Sequence, residues 1–161
     1  MLANASIMIY IIFMTDISVT NALRLLQAAE ELRARLAGGF SSVHGLSVNE
    51  FFLLMHLEQA PLNRLPRVEL AKRMHISAST VTRMVAPMEK TGLVGREVDA
   101  RDARMTFVTL NDAGRLKLSE AQETFAKYAG YTFEDRWSRE EKENLSSLLY
   151  RLVAGSEANL T

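Results

Sequence analysis

Residues 65–110 read LPRVELAKRMHISASTVTRMVAPMEKTGLVGREVDARDARMTFVTL, and the succession of patterns in this stretch decides the fold. Leu70, Ala71 and Met74 share the inward face of a short helix over 65–74, with Pro66 suited to its first turn, where the backbone N–H groups lack helical partners anyway. After a turn at His75 and Ile76, Ser77 is placed to cap a second helix that carries Val81, Met84, Val85 and Met88 inward and stops at Gly92. Two short helices so closely joined make a helix-turn-helix. Pro87 removes a backbone donor late in the second helix and is expected to bend it or loosen its last turn. Leu93–Val98 and Met105–Leu110 then alternate as strands on either side of the polar tip Asp99-Ala100-Arg101-Asp102-Ala103-Arg104, a hairpin that forms a wing.

Helices extend from this module in both directions. Upstream, Ala22, Leu25, Leu26, Ala29, Leu32 and Leu36 recur at steps of three and four, which predicts an amphipathic helix from about Asp16 to Ala37, closed by Gly38 and Gly39. Ser47 followed by Glu50 is a capping box ahead of Phe51, Phe52, Leu54, Met55 and Leu57, and Pro61 ends that helix. Downstream, Asn111 opens a helix with Ala113, Leu116, Ala121, Phe125 and Tyr128 near one face and Gly130 after its end. Ser138 with Glu141 starts a last helix, whose apolar side holds Leu145, Leu148, Leu149 and Leu152. The fold class expected is mainly α with a small β-hairpin wing: a winged helix-turn-helix with dimerisation helices from both chain ends. The apolar faces of those end helices are wider than so small a module can cover, which points to an obligate homodimer. The corresponding divisions are an apolar extension over 1–15, N-terminal scaffold and dimerisation helices over 16–60, a DNA-binding module over 61–110 and C-terminal dimerisation helices over 111–161.

Composition narrows the function classes. The 161 residues include no cysteine, which excludes disulfides, thiolate metal sites and thiol switching. His44, His56 and His75 lack metal-ligand spacing, so neither a metal nor another cofactor is expected. No nucleophile elbow, phosphate loop or conspicuous acid pair is present, and an enzyme is not expected. The formal net charge is zero, yet between Leu62 and Met105 nine basic residues stand against five acidic ones, a surplus of four, and the rest of the chain is negative by the same amount. A basic module in an acidic scaffold is what a protein with one phosphate-facing part requires. The opening run MLANASIMIYIIFM is too short for a membrane span and lacks the basic start of a secretory signal. It reads either as a variable extension ahead of a natural start at Met14, or as a segment packed on the dimerisation region because so apolar a run avoids water.

A helix fits the major groove of duplex DNA, and residues at its N-terminal end reach the base edges. In the second helix these are Ser77, Ala78, Ser79, Thr80, Thr82 and Arg83. Small hydroxyls permit close approach, and Arg83 is long enough to take a guanine edge or a phosphate. Ser77 also reads as a plain N-cap. Lys72 and Arg73 are either phosphate contacts or a solvated face. A winged-helix module that binds protein instead of DNA is the alternative reading.

The run VELAKRMHISASTVTRMVAPMEKTGLVGREVDARDARMTFVTLNDAG resembles the MarR family of multiple-antibiotic-resistance-type regulators, a resemblance that extends over about residues 16–155. Its specific parts are STVTR, the helix end EKTGLV, the wing DARDAR and the turn LNDAG, where Asn111 stands in place of the family's usual Thr. The resemblance implies a cytoplasmic transcriptional regulator, a repressor responsive to ligand, that binds a near-palindromic operator as a homodimer and has no membrane partner. It implies that Arg101 at the wing tip enters the minor groove, with Arg104 beside it as a further contact and Asp99 and Asp102 bracing the hairpin. A narrow minor groove independently favours an arginine by concentrating negative potential. It also implies a crevice for a small aromatic or lipophilic acid, for which His44, Phe51, Phe52 and Met55 are the candidates; Phe and Met at helical spacing also read as core.

Overall fold

The computed structural model describes residues 16–99, 105–134, 136–156 and 158–160; the apolar run 1–15 and the tip residues Arg101, Asp102 and Arg104 lie outside them. The elements run α1 (Ile17–Gly39), a π-helical turn (Phe40–His44), α2 (Val48–Gln59), a 3-10 turn (Pro61–Asn63), β1 (Arg64–Pro66), α3 (Arg67–Arg73), α4 (Ala78–Lys90), β2 (Val94–Val98), β3 (Thr106–Leu110), α5 (Asp112–Phe133) and α6 (Arg139–Val153). Among the described residues no helix is long and apolar enough to cross a membrane.

The chain divides into two units at Gly38–Gly39. In the first, α1 is a long helix on which Ile17, Leu23, Leu25 and Leu26 stand exposed and an Arg35–Glu31 ion pair of 2.8 Å supports one face. Gly38 and Gly39 do not close it, contrary to the sequence expectation. Neither adopts a left-handed conformation, and helical bonding continues through the π-helical turn to Gly45, whose φ of 64° ends it. His44 consequently lies in that turn and not in a free loop.

The second unit holds the core. The capping box of α2 forms as its spacing predicts: the Ser47 hydroxyl accepts from the Glu50 N–H at 3.2 Å, and the Glu50 carboxylate accepts from the Ser47 N–H at 2.7 Å. The helix buries Phe51, Leu53, Leu54 and Leu57 together with Phe40, Leu70, Val81, Val85, Met88, Val94, Val108 and Leu118. Each such side chain contributes roughly 1.5–3 kcal/mol of transfer free energy. Phe51 stacks on Phe125 at 5.6 Å and tilts against Phe40 at 4.8 Å, which joins α2, the π-helical turn and α5.

Two further expectations are corrected. Arg64–Pro66 is a strand, so the helix predicted over 65–74 begins only at Arg67; Pro66 has extended φ and ψ of −60° and 145°, and Leu65 pairs with Val108 of β3. The sheet therefore has three antiparallel strands, in the order β1-β3-β2. Gly130 does not end α5, which runs on to Phe133, because a glycine with helical dihedrals is no stop signal. Asn111 occupies the N-cap position of α5 but makes no capping side-chain bond.

Candidate nucleic-acid interface

Ser77 has extended dihedrals, and its hydroxyl accepts from the Thr80 N–H at 3.1 Å, which starts α4. Val81, Val85 and Met88 turn inward and are at most 2 % exposed. Helical periodicity then drives the intervening Ser77, Ala78, Ser79, Thr82 and Arg83 outward, all exposed. The hydroxyls form a small network: Ser77 Oγ lies 2.9 Å from Ser79 Oγ and 2.8 Å from Thr80 Oγ1. Thr82 Oγ1 donates to the Ala78 carbonyl at 3.0 Å. Among the described residues Arg83 makes one long hydrogen bond, Nη2 to Thr80 Oγ1 at 3.5 Å, so its guanidinium is lightly held beside the helix N-terminus. A row of small hydroxyls followed by a long cation is suited to close approach and to donation toward base edges or phosphate.

The two basic residues of α3 have different surroundings. Lys72 is exposed. Arg73 is about three-quarters covered and pairs with Glu69 at 2.9 Å, one turn away on its own helix. Arg67, at the start of α3, reaches over Thr82 Oγ1 at 3.5 Å and so stands next to the outward face of α4. Sequence reasoning counted Arg67 only as part of the charge surplus, since nothing local ties it to α4. The turn between the helices places His75 at a φ of 52°, a left-handed conformation uncommon outside glycine.

Beside α4 stands the hairpin. Gly95 faces Thr109 across β2 and β3, and Arg96 faces Val108. Arg96 grips Glu89 near the end of α4 with Nε and Nη2 at 3.2 and 3.3 Å. Asp99, the last described residue of the first arm, donates its N–H to the Met105 carbonyl at 2.9 Å and holds the two arms together. On the other face, Arg64 of β1 ion-pairs with Glu97 of β2.

The sequence model of the MarR family matches residues 46–106, from the end of the π-helical turn to the second arm of the hairpin. The chain is 30% identical over 106 residues to the HTH-type transcriptional repressor YetL of Bacillus subtilis, a match that spans 65% of this chain and 62% of that protein. It is 30% identical over 108 residues to the HTH-type transcriptional regulator YxaD of the same organism, across 66% of this chain and 73% of that one. The chain belongs to the MarR family. The solved structure of the MarR-family regulator Sco3205 from Streptomyces coelicolor, in complex with DNA, superposes with a TM-score of 0.74 at 28% identity, covering 90% of this chain and 93% of that one.

As a MarR-family transcriptional regulator with the winged-helix fold, the chain gives its motif residues physical roles. The glycine of LNDAG, Gly114, sits in the first turn of α5 directly against the Leu93 carbonyl, where no Cβ fits. Of the residues expected to line a ligand crevice, His44, Phe51 and Phe52 belong to one aromatic cluster with Phe40 and Phe125. His44 Nε2 is hydrogen-bonded to Thr124 Oγ1 at 2.8 Å, and its ring meets Phe40 edge-on at 6.1 Å. Phe51 is 1 % exposed within that cluster, whereas Phe52 and Met55 are half-buried. His56, which sequence reasoning treated only as a failed metal ligand, is 3 % exposed, and its Nδ1 has no hydrogen-bond partner among the described residues.

Proposed function

We propose that this MarR-family regulator binds a near-palindromic duplex operator as a homodimer, represses from it, and releases it on taking up a small aromatic or lipophilic acid. The observation that carries the reading is the outward face of α4, where Ser77, Ser79, Thr80, Thr82 and Arg83 line a helix that buries Val81, Val85 and Met88 on its opposite face and half-buries Met84. In this reading α4 lies in the major groove, Arg83 takes a base edge or phosphate, and Lys72 contacts phosphate. Arg67 is added as a further backbone contact from its position over Thr82, and Arg73, paired with Glu69, lends charge at a distance. Arg101 and Arg104 supply the minor-groove contacts, with Asp99 and Asp102 bracing them. Residues 61–110 form the reading module, with 16–60 and 111–161 as scaffold.

Dimerisation is supported by apolar side chains that one chain leaves in water. On α1 Leu26 is 65 % exposed, and on α6 Leu148 and Leu152 are 57 % and 68 % exposed, so a second copy has apolar surface to cover. Repression is the activity in the name of the relative YetL. The acid is assigned to the neighbourhood of His44, Phe51, Phe52 and Met55, where the imidazole meets the Phe40 ring edge-on and Phe51 and Phe52 tilt against one another.

The test is binding to the DNA upstream of its own gene and to a random duplex of equal length, at two salt concentrations, with and without benzoate or salicylate. A preference for the upstream duplex that weakens with salt and with acid is expected, together with a dimer by light scattering. Equal affinity for both duplexes, or a folded monomer at micromolar concentration, overturns the reading.

A further inference from the structure

Adjacent residues of β2 point to opposite faces of the sheet, and in this protein they are tied to different elements. Arg96 faces the core side and holds Glu89 of α4 with two hydrogen bonds, at 3.2 and 3.3 Å. Glu97 faces outward and holds Arg64 of β1. Because β3 lies between β1 and β2, the Arg64 side chain has to cross it, and it does so over the ring of Phe107, the cross-strand partner of Glu97. The guanidinium carbon is 4.5 Å from the ring centroid, a cation–π contact. The Arg64 side chain is 24 % exposed and that of Glu97 52 %.

We infer that Arg64 is a positioning residue for DNA reading: through Phe107 and Glu97 it straps all three strands and fixes the angle at which the hairpin leaves α4. The inference rests on the reading that α4 and the hairpin engage one duplex. β1 runs through Pro66 directly into α3, so the strap connects the base of the helix-turn-helix to the far strand of the wing. Arg96 fixes the same strand to α4 from the other side, and together the two pairs leave the hairpin root little freedom to rotate. An ion pair with its carboxylate half in water contributes little to stability, and one cation–π contact adds only modestly, so the main consequence falls on geometry. Arg64 also belongs to the basic surplus, but its Nη1 donates to Glu97 and its flat face covers Phe107, so its position is set by the sheet.

Charge and geometry make opposite predictions for Glu97→Gln. Losing a negative charge from the basic module strengthens attraction to any duplex by electrostatics alone. Loss of the strap weakens reading of the correct one. The experiment selects a duplex from a randomised pool with the wild-type protein. It then measures affinity for that duplex and for a random one with wild type, Arg64→Met, Glu97→Gln and the exchanged pair Arg64→Glu with Glu97→Arg, with urea midpoints as a folding control. Expected are a roughly three- to tenfold loss on the selected duplex for both single variants, no loss on the random duplex for Glu97→Gln, recovery in the exchanged pair, and unchanged midpoints. Equal or tighter binding of the selected duplex by Glu97→Gln, or an exchanged pair no better than Arg64→Met, overturns the inference while wild-type selection still stands. If the wild type enriches no sequence, the DNA reading itself fails, and the inference with it.

Discussion

Asn111 stands at the N-cap of α5, yet its side chain reaches backward: Nδ2 donates to the Gly92 carbonyl at 3.0 Å, and no side-chain bond meets the first turn of its own helix. Its backbone N–H donates to the Leu93 carbonyl at 3.2 Å, so one residue stitches the end of the sheet to the turn after α4. Gly95 completes the arrangement, since a Cβ there would come within 3.0 Å of Asn111 Oδ1.

This geometry separates two roles that sequence alone merges. Asp is as good an N-cap as Asn, but it has no N–H to give to Gly92. Asn111→Asp is therefore expected to destabilise at least as much as Asn111→Ala, by about 1–2 kcal/mol, because both leave the Gly92 carbonyl without its partner. Urea midpoints of the two variants decide it. An Asp variant as stable as wild type would restore capping as the reason for Asn111.

Two glycines of α5 should respond oppositely to alanine. At Gly114 a Cβ collides with the Leu93 carbonyl, which is backbone and cannot swing away, so Gly114→Ala is expected to cost about 1–3 kcal/mol or more. At Gly130 the nearest atom to a Cβ is a Glu134 carboxylate oxygen at 3.7 Å, an ordinary contact in a continuous helix. Gly130→Ala should stabilise by about 0.5–1 kcal/mol, by lowering the entropy of the unfolded chain. Thermal melts of both variants test the pair, and the same sign for both would contradict it.

Burial holds the His56 imidazole below its ordinary pKa of 6.5, and the positive charge of Arg73 adds to the effect. The unfolded chain therefore takes up a proton near 6.5 that the native state refuses until lower pH. On this account the contribution of His56 to stability is constant above that value and declines as pH falls through 6.5 toward the lowered native pKa, by at most about 1.4 kcal/mol per pH unit. His56→Leu removes both the titration and the unpartnered Nδ1. The difference in urea midpoint between wild type and His56→Leu should shift in favour of the variant as pH is lowered from about 7.5 to about 5.5. Parallel stability curves over that range would contradict it.

Arg83 and Lys72 are exposed on successive helices but serve DNA differently in the proposed complex. If Arg83 is bidentate to guanine, Arg83→Ala should cost about 1–3 kcal/mol at one operator position and relax specificity there. Lys72→Ala should weaken every sequence alike and lower the salt slope by about one unit per half-site. The measurement is affinity across single-base operator changes at fixed salt. A uniform loss in Arg83→Ala would make it a phosphate anchor and leave base reading to Ser79, Thr80 and Thr82.

What could be read from sequence was whatever a few neighbouring residues decide among themselves. Ser47 with Glu50, Ser138 with Glu141, and Ser77 with Thr80 each close their bonds within three positions, so the spacing carries the whole interaction and those helix starts form where expected. The inward Val81, Val85 and Met88 likewise determine which way the intervening hydroxyls and Arg83 face, because helical period links one face to the other. The remainder depends on partners that local patterns cannot supply. β1 is three residues ending in proline, and only its register against β3 makes it a strand. Gly39 does not stop α1; it lies against the Tyr128 ring, whose hydroxyl is 2.5 Å from where a Cβ would be. The partner of Arg64 is 33 positions away, and that of His44 is 80. In each case a side chain with several feasible partners found the one that folding brought near, so the identity of the residue was legible and its role was decided only by the tertiary contact.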